Sequence, residues 1–112
     1  MNKWEIWTHP FPSERDPHPV VIISPQALCA NQKVIGVNAL ACRSLRGDMA
    51  AKSHEVILNG ADGLDGKTIV DCSLIHVIHK ERVIGARRGI VTPARRAQIL
   101  RTVYARLEQL SH

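Results

Sequence analysis

The stretch HPVVIISP, residues 18–25, places four consecutive β-branched residues between two prolines. A short β-branched run that ends at a proline is typical of a buried strand. Further strands are predicted at residues 4–7, 33–40, 54–58, 67–72, 73–80 and 83–91. Between them, residues 8–19 (with four prolines), 42–53 and 59–66 are predicted as loops or turns, and residues 25–30 as one helical turn. The chain therefore predicts many short strands.

A helix is predicted at the C-terminal end, because Thr92 is a good N-cap and Pro93 suits the first helical position. Arg95 and Arg106 are expected on its solvent side. The side facing the sheet is predicted from apolar residues at helical spacing: Ile99, Leu100, Val103, Leu107 and Leu110. Many strands and one closing helix predict a single mainly β (α+β) domain over residues 1–112, a small curled barrel.

The composition is that of an ordinary globular domain, with 112 residues, 45% hydrophobic and 22% charged. This composition argues against a disordered chain. No apolar run approaches the length of about 20 residues that a membrane-spanning helix needs. The first five residues contain no apolar signal region, so we expect a cytoplasmic protein without membrane contact. Cys29, Cys42 and Cys72 are widely spaced and are predicted to be small buried hydrophobes.

The charge is uneven along the chain. The net charge is +5, but residues 80–112 hold eight Lys and Arg residues and two Glu, a local net charge of +6. A basic segment on a nearly neutral body indicates a polyanionic or acidic partner. The alternative is a solvated helix face.

Several stretches, taken in order, resemble the MazF/PemK-type toxins of type II toxin–antitoxin systems. These are EIW at residues 5–7, the proline-bearing loop with Ser13-Glu14, and residues 18–25; residues 64–72 (LDGKTIVDC), 78–83 (IHKERV) and Gly89 before the capped helix follow. The resemblance implies a compact SH3-like β-barrel with a C-terminal helix, CcdB/PemK/MazF-like, in a two-fold homodimer. It also implies a growth-inhibiting, sequence-selective endoribonuclease that cuts single-stranded RNA without a metal. A cognate antitoxin with an acidic tail is the implied partner.

Two catalytic positions of that family differ in this sequence. The family's arginine precedes the proline of the second strand, where this chain has His18, and its threonine falls near Leu40, with Ser44 as the nearest hydroxyl. The family's glycine before EIW is Trp4. An alternative therefore stays open: a non-catalytic barrel that binds protein or nucleic acid, like the gyrase-binding CcdB toxins or as a degenerate relative. A DNA-contacting accessory protein is a third possibility.

The candidate catalytic residues follow from the chemistry of RNA cleavage through the 2′-hydroxyl. The reaction needs a base, an acid and stabilisation of the phosphate charge, and it needs no metal because the nucleophile belongs to the substrate. An imidazole titrates near neutrality and suits either proton-transfer role, so His18 and His76 are candidates. Arg15, in the proline loop, and Ser44 complete the predicted catalytic set.

RNA contacts are predicted at Arg43, Arg87 and Arg88, the last two in a flexible turn between glycines. His79 is expected on the strand face opposite His76, outside the same site. Asp71 lies near the place of an acidic catalytic group in some family members, although a lone Asp at a strand end more often hydrogen-bonds a turn. Six histidines without HxH or HExxH spacing predict no metal, and no cofactor is expected.

Overall fold

Six antiparallel strands form one sheet in the computed structural model, which describes residues 1–47 and 50–110. The strands are β1 (Glu5–His9), β2 (His18–Ile22), β3 (Gly36–Ser44), β4 (Glu55–Leu58), β5 (Thr68–His79) and β6 (Ile84–Ile90). The helices are α1 (Gln26–Ala30) and α2 (Pro93–Leu110), with single 3₁₀ turns at Gly60–Asp62 and Lys80–Arg82. None of the helices in the described part combines the length and hydropathy needed to cross a bilayer.

The strand order is β4-β5-β3-β2-β1-β6, with β4 and β6 at the two ends of the sheet. The long strand β5 pairs with β4 through its first residues and with β3 along its length. The register of β3 against β5 shifts between Leu40 and Cys42. Such irregularities bend a sheet. The predicted fold class, a small curled barrel with a C-terminal helix, is confirmed, with the sheet left open rather than closed.

The apolar residues of β2, Val20 to Ile22, are covered on both faces of the sheet. Val21 packs into a main core with Ile6 and Leu40, whereas Val20 and Ile22 pack into a second cluster on the other face of the sheet. Successive side chains of a strand point to opposite faces, so a strand covered on both faces needs apolar residues throughout. Each fully buried Val or Ile contributes about 1.5–3 kcal/mol relative to an exposed one.

Strand structure is found at two places where a loop or a turn was predicted, the second of them within the strand predicted at residues 83–91, which is confirmed. Strand β3 continues to Ser44, because Cys42 is buried in the main core and Ser44 pairs with Thr68 of β5. Arg87 and Arg88 lie in β6, not in a flexible turn. The pairing of Glu5 and Ile6 with residues 89–90 holds this segment extended.

Helix α2 contacts β4 and β5 along a narrower ridge than predicted. Ile99 and Val103 are buried, but Leu100 and Leu107 are each 50% exposed. Arg95 and Arg106, expected in solvent, are instead half-buried. The helix is therefore rotated about its axis relative to the predicted face. The Leu110 side chain, also assigned to that face, lies outside the described residues.

A buried carboxylate ties the start of α2 to the turn after β4. Asp62 Oδ1 accepts a hydrogen bond from Thr92 N–H at 2.8 Å, and Oδ2 accepts one from Asn59 N–H at 3.1 Å. Asp62 is 1% exposed. Two hydrogen bonds to a buried charged group make this connection between the turn and the helix a strong one.

Candidate active site

A cleft of about 250 Å³ opens where the β1–β2 loop meets β3 and β5. The loop contributes Phe11 and Glu14 to its lining. The charged side chains and imidazoles that the strands contribute are His18, Arg43, Asp71 and His76. Three of the residues selected from the sequence, His18, His76 and Arg43, therefore lie around one opening.

His18 is the first residue of β2, enclosed by Pro17 and Pro19 in sequence. Proline restricts its own φ and the conformation of the residue before it, so the loop enters the strand with little freedom. The His18 imidazole is partly exposed, and its Nε2 lies 3.6 Å from Glu14 Oε2. A protonated His18 thus has an anionic partner at the edge of the cleft.

Arg43 is held over the cleft by a buried carboxylate. Its Nη2 lies 2.5 Å from Oε2 of Glu55, whose other oxygen accepts a hydrogen bond from Lys52 N–H at 2.8 Å. Burial alone would raise the pKa of Glu55, but these hydrogen bonds and the Arg43 charge outweigh it and hold the pKa below its usual value. The lowered pKa favours the anionic form of Glu55, which orients the guanidinium.

Asp71 adds an acceptor on the opposite strand, directly across from Glu55 in the β4–β5 register. Its Oδ1 accepts hydrogen bonds from Ser73 Oγ at 2.6 Å and Ser73 N–H at 2.9 Å. Burial raises the pKa of Asp71, but the hydrogen bonds from Ser73 and the charges of His54 and Arg43 lower it by more. The pKa of Asp71 therefore lies below its usual value. Asp71 is thus both the turn-type hydrogen-bonding residue considered from sequence and part of the cleft wall.

Phe11 is the residue that sequence reasoning missed. Its ring centroid lies 5.1 Å from that of His76, 6.3 Å from that of His18 and 5.1 Å from that of His9. The signal was an aromatic residue between Pro10 and Pro12, in a loop that prolines restrict. Its position among three imidazoles makes Phe11 a wall of the cleft rather than a loop side chain.

The other predicted site residues lie elsewhere. Arg15 is exposed in the β1–β2 loop and Ser44 is exposed at the end of β3; neither is among the described residues that line the cleft. Arg87 Nη1 lies 3.3 Å from Oε2 of the buried Glu5. Arg87 and Arg88 line a separate cavity beside Gly63. The structure therefore does not bring these four residues together with His18.

The cysteines are buried and free, as predicted. Cys42 borders the cleft, but burial raises its pKa, and burial raises the pKa of Cys72 to about 12. Both remain thiols at neutral pH, which excludes a thiolate nucleophile here. Within residues 1–47 and 50–110, no three His, Cys, Asp or Glu side chains are grouped to hold a metal ion.

Comparison with known proteins gives a consistent result. The model of the PemK-like, MazF-like toxins of type II toxin–antitoxin systems matches residues 2–107. Among solved structures, a mycobacterial endoribonuclease in complex with its cognate antitoxin has a TM-score of 0.78 at 20% identity, covering 96% of this chain and 95% of that one. A second mycobacterial endoribonuclease gives 0.76 at 20% identity, with coverages of 96% and 91%. The Mycobacterium tuberculosis toxin MazF-mt6 gives 0.75 at 13% identity, with coverages of 93% and 96%.

These structural neighbours establish the fold of the chain. A comparison with curated protein sequences gives no significant match.

Proposed function

Since the chain belongs to the PemK-like, MazF-like toxins of type II toxin–antitoxin systems, we propose that it is an endoribonuclease that cleaves single-stranded RNA without a metal ion. The observation that carries this proposal is the composition of one cleft. It holds two imidazoles, His18 and His76, with the guanidinium of Arg43 and the carboxylate of Asp71. These are the groups that cleavage through the 2′-hydroxyl requires.

In the proposed reaction, the 2′-oxygen attacks the adjacent phosphorus and the bond to the 5′-oxygen breaks. A base takes the 2′-hydroxyl proton, and an acid gives a proton to the departing 5′-oxygen. We assign the acid to His18, because its protonated form has Glu14 as an ionic partner, and the base to His76. Arg43, held by Glu55, stabilises the charge on the non-bridging oxygens. The products carry 2′,3′-cyclic phosphate and 5′-hydroxyl ends. Arg15 and Ser44 stay predictions without a place in this step.

The partners that we propose are RNA, a second copy of the chain and an antitoxin. The most similar structure described above is an endoribonuclease bound to its cognate antitoxin. An acidic antitoxin segment suits this chain because residues 80–112 carry a net charge of +6. Exposed apolar side chains on α2, Leu100, Tyr104 and Leu107, favour burial in an assembly. A symmetric homodimer is the commonest solution for such a surface.

The test is incubation of purified protein with a long RNA in EDTA, followed by analysis of the fragment ends. We expect discrete fragments with 2′,3′-cyclic ends, and a loss of at least about 100-fold in rate for His18→Ala. Asp16→Ala is the matched control, because it changes an exposed residue of the same loop that lies outside the cleft lining. Intact RNA at high protein concentration overturns the proposal.

A binding protein without nuclease activity is the second candidate. Leu40, near the place of the family's threonine, is completely buried, and the neighbouring cleft residues of β3 are Ala41 and Cys42. The part of β3 beside the cleft thus offers a methyl and a protonated thiol rather than a hydroxyl. The cleavage assay separates the two candidates when retention of RNA on a filter is measured beside it. A protein that binds RNA without cleaving it retains the RNA on the filter and leaves it intact.

A further inference from the structure

The cleft beside His18 carries more carboxylates than cationic side chains. Glu14 and Asp71 line it, and the pKa of Asp71 lies below its usual value. Arg43 supplies one guanidinium, but Glu55, whose side chain is 2% exposed, compensates that charge from behind. While the imidazoles are neutral, three carboxylates therefore stand against one guanidinium, a net charge of −2.

This net charge opposes the ligand that we propose for the cleft. Each phosphodiester of RNA is an anion, so a negatively charged cleft repels it. The basic segment, residues 80–112, does not offset the repulsion locally, because none of its described residues lines the cleft. RNA is thus attracted to the protein as a whole but is repelled from the cleft until positive charge is added there.

Among the described residues that line the cleft, two imidazoles change their charge near neutral pH. His18 is the one beside an anion, since its Nε2 lies 3.6 Å from Glu14 Oε2. Its cross-strand partner on β1 is His9. Burial lowers the pKa of His9 from 6.5, so His9 is neutral above that pH and adds no charge beside His18. The other charged or titratable groups around the cleft are Cys42 and Arg43 on β3, and Asp71 and His76 on β5.

We propose that binding of RNA in the cleft is coupled to the uptake of a proton by His18, so that the cleft accepts a phosphodiester in mildly acidic solution and rejects it in alkaline solution. The inference rests on RNA being the ligand of this cleft, as in the proposed function. A protonated imidazole donates from both nitrogens, so one N–H can pair with Glu14 while the other bonds a phosphate oxygen. The same proton is the one that His18 then gives to the departing 5′-oxygen, so binding selects the reactive state.

The size of the coupling follows from the linkage between proton and ligand binding. A ligand that binds only the protonated form of one group loses about tenfold in affinity for each pH unit above the titration of that group in the free protein. His76, the proposed base, must be neutral in the reactive complex. We therefore expect the uptake of about one proton, at His18, rather than two.

The test is the pH dependence of RNA affinity, measured by fluorescence anisotropy with a 2′-O-methyl oligoribonucleotide, which lacks the nucleophile and is not cleaved. Between about pH 6 and pH 8.5 at constant ionic strength, we expect the wild-type affinity to fall at least about tenfold. His18→Arg carries a permanent cation, so it should bind at least about tenfold more tightly than the wild type at the alkaline end, with little pH dependence. The matched control is His79→Gln, which removes an exposed imidazole of β5 that does not line the cleft and should keep the wild-type pH dependence.

Proton uptake by the wild-type protein gives a second readout that needs no variant. Calorimetry of the same binding reaction at about pH 7.5, in buffers of different ionisation enthalpy, should show the uptake of about one proton. The absence of uptake, a wild-type affinity that is independent of pH, or a wild-type pH dependence in His18→Arg overturns the coupling.

The coupling and the proposed nuclease fail in different measurements. If the wild-type protein cleaves RNA and its affinity does not change with pH, the coupling is wrong and the nuclease stands. If a long RNA stays intact while the affinity for the 2′-O-methyl oligoribonucleotide follows pH through His18, the proposed cleavage is wrong and the coupling stands.

Discussion

Gly89 in β6 lies against the backbone of Asp62, so Gly89→Ala tests how closely β6 packs against the turn after β4. A Cβ on Gly89 would lie 2.1 Å from the Asp62 carbonyl oxygen and 3.4 Å from the Gly63 Cα. Both neighbours are backbone atoms. Asp62 is additionally held through its carboxylate by Asn59 and Thr92, so its backbone has little freedom to move away.

The size of the effect follows from these distances. The Cβ contact must lengthen by about 0.9 Å to reach 3.0 Å, below which real contacts of this kind essentially do not occur. Overpacking typically costs about 1–3 kcal/mol, and each hydrogen bond to the charged Asp62 that weakens adds roughly 1.5 kcal/mol or more. We expect a loss of roughly 3–5 kcal/mol, which corresponds to about 10–20 °C in Tm.

The assay is urea denaturation followed by far-UV circular dichroism and tryptophan fluorescence, with thermal unfolding as a second measure. Gly60→Ala is the control, because a Cβ there meets nothing within 4 Å and its φ is not positive. We expect the control to stay within about 0.5 kcal/mol of the wild type. A Gly89→Ala protein as stable as the control is incompatible with a close backbone contact between Gly89 and Asp62.

Three further outcomes are expected. Trp4 has φ 72° and is 7% exposed, so Trp4→Gly relieves roughly 1–2 kcal/mol of backbone strain but loses about 3–5 kcal/mol of burial. Urea denaturation should show a net loss, and a stabilised variant contradicts this. The pKa of His9 is lowered in the folded protein from its usual value of 6.5. The stability that depends on a neutral His9 is therefore fully present above pH 6.5 and is lost as the pH falls below that value. Thermal unfolding across pH should show a shallower fall below pH 6.5 in His9→Phe, and an unchanged slope is inconsistent with a depressed pKa. If β6 contacts RNA, Arg88→Ala should reduce the slope of log affinity for RNA against log salt concentration by about 0.7. Arg87 does not suit this test, because its substitution also removes the ion pair with the buried Glu5.

The strands and the terminal helix were predictable because their signals are local. The β-branched run at residues 20–23 and the Thr92-Pro93 start of α2 specify structure from neighbours in sequence alone. The segment at Arg87 and Arg88 was predicted both as part of a strand over residues 83–91 and as a flexible turn, and only the strand is confirmed. Its extended form comes from pairing with β1, at the other end of the chain. The rotation of α2 likewise depends on how β4 and β5 support it.

The candidate site was predictable in part for the same reason. His18, His76 and Arg43 were selected from their chemistry and from the family positions that they match, and the cleft brings them together. The role of Phe11 and the burial of His9 were not accessible from sequence. Both depend on contacts with β5 and the turn after it, which form only when the sheet curls.

In the proposed mechanism, His18 is the acid and His76 is the base of a metal-independent RNA cleavage. The pH–rate profile of cleavage in EDTA, measured under single-turnover conditions, tests it most directly. We expect a bell-shaped profile for the wild type, loss of the alkaline limb in His18→Ala and loss of the acidic limb in His76→Ala, each with a rate reduced about 100-fold or more. A profile that keeps both limbs and its rate in either variant contradicts this assignment of the acid and the base.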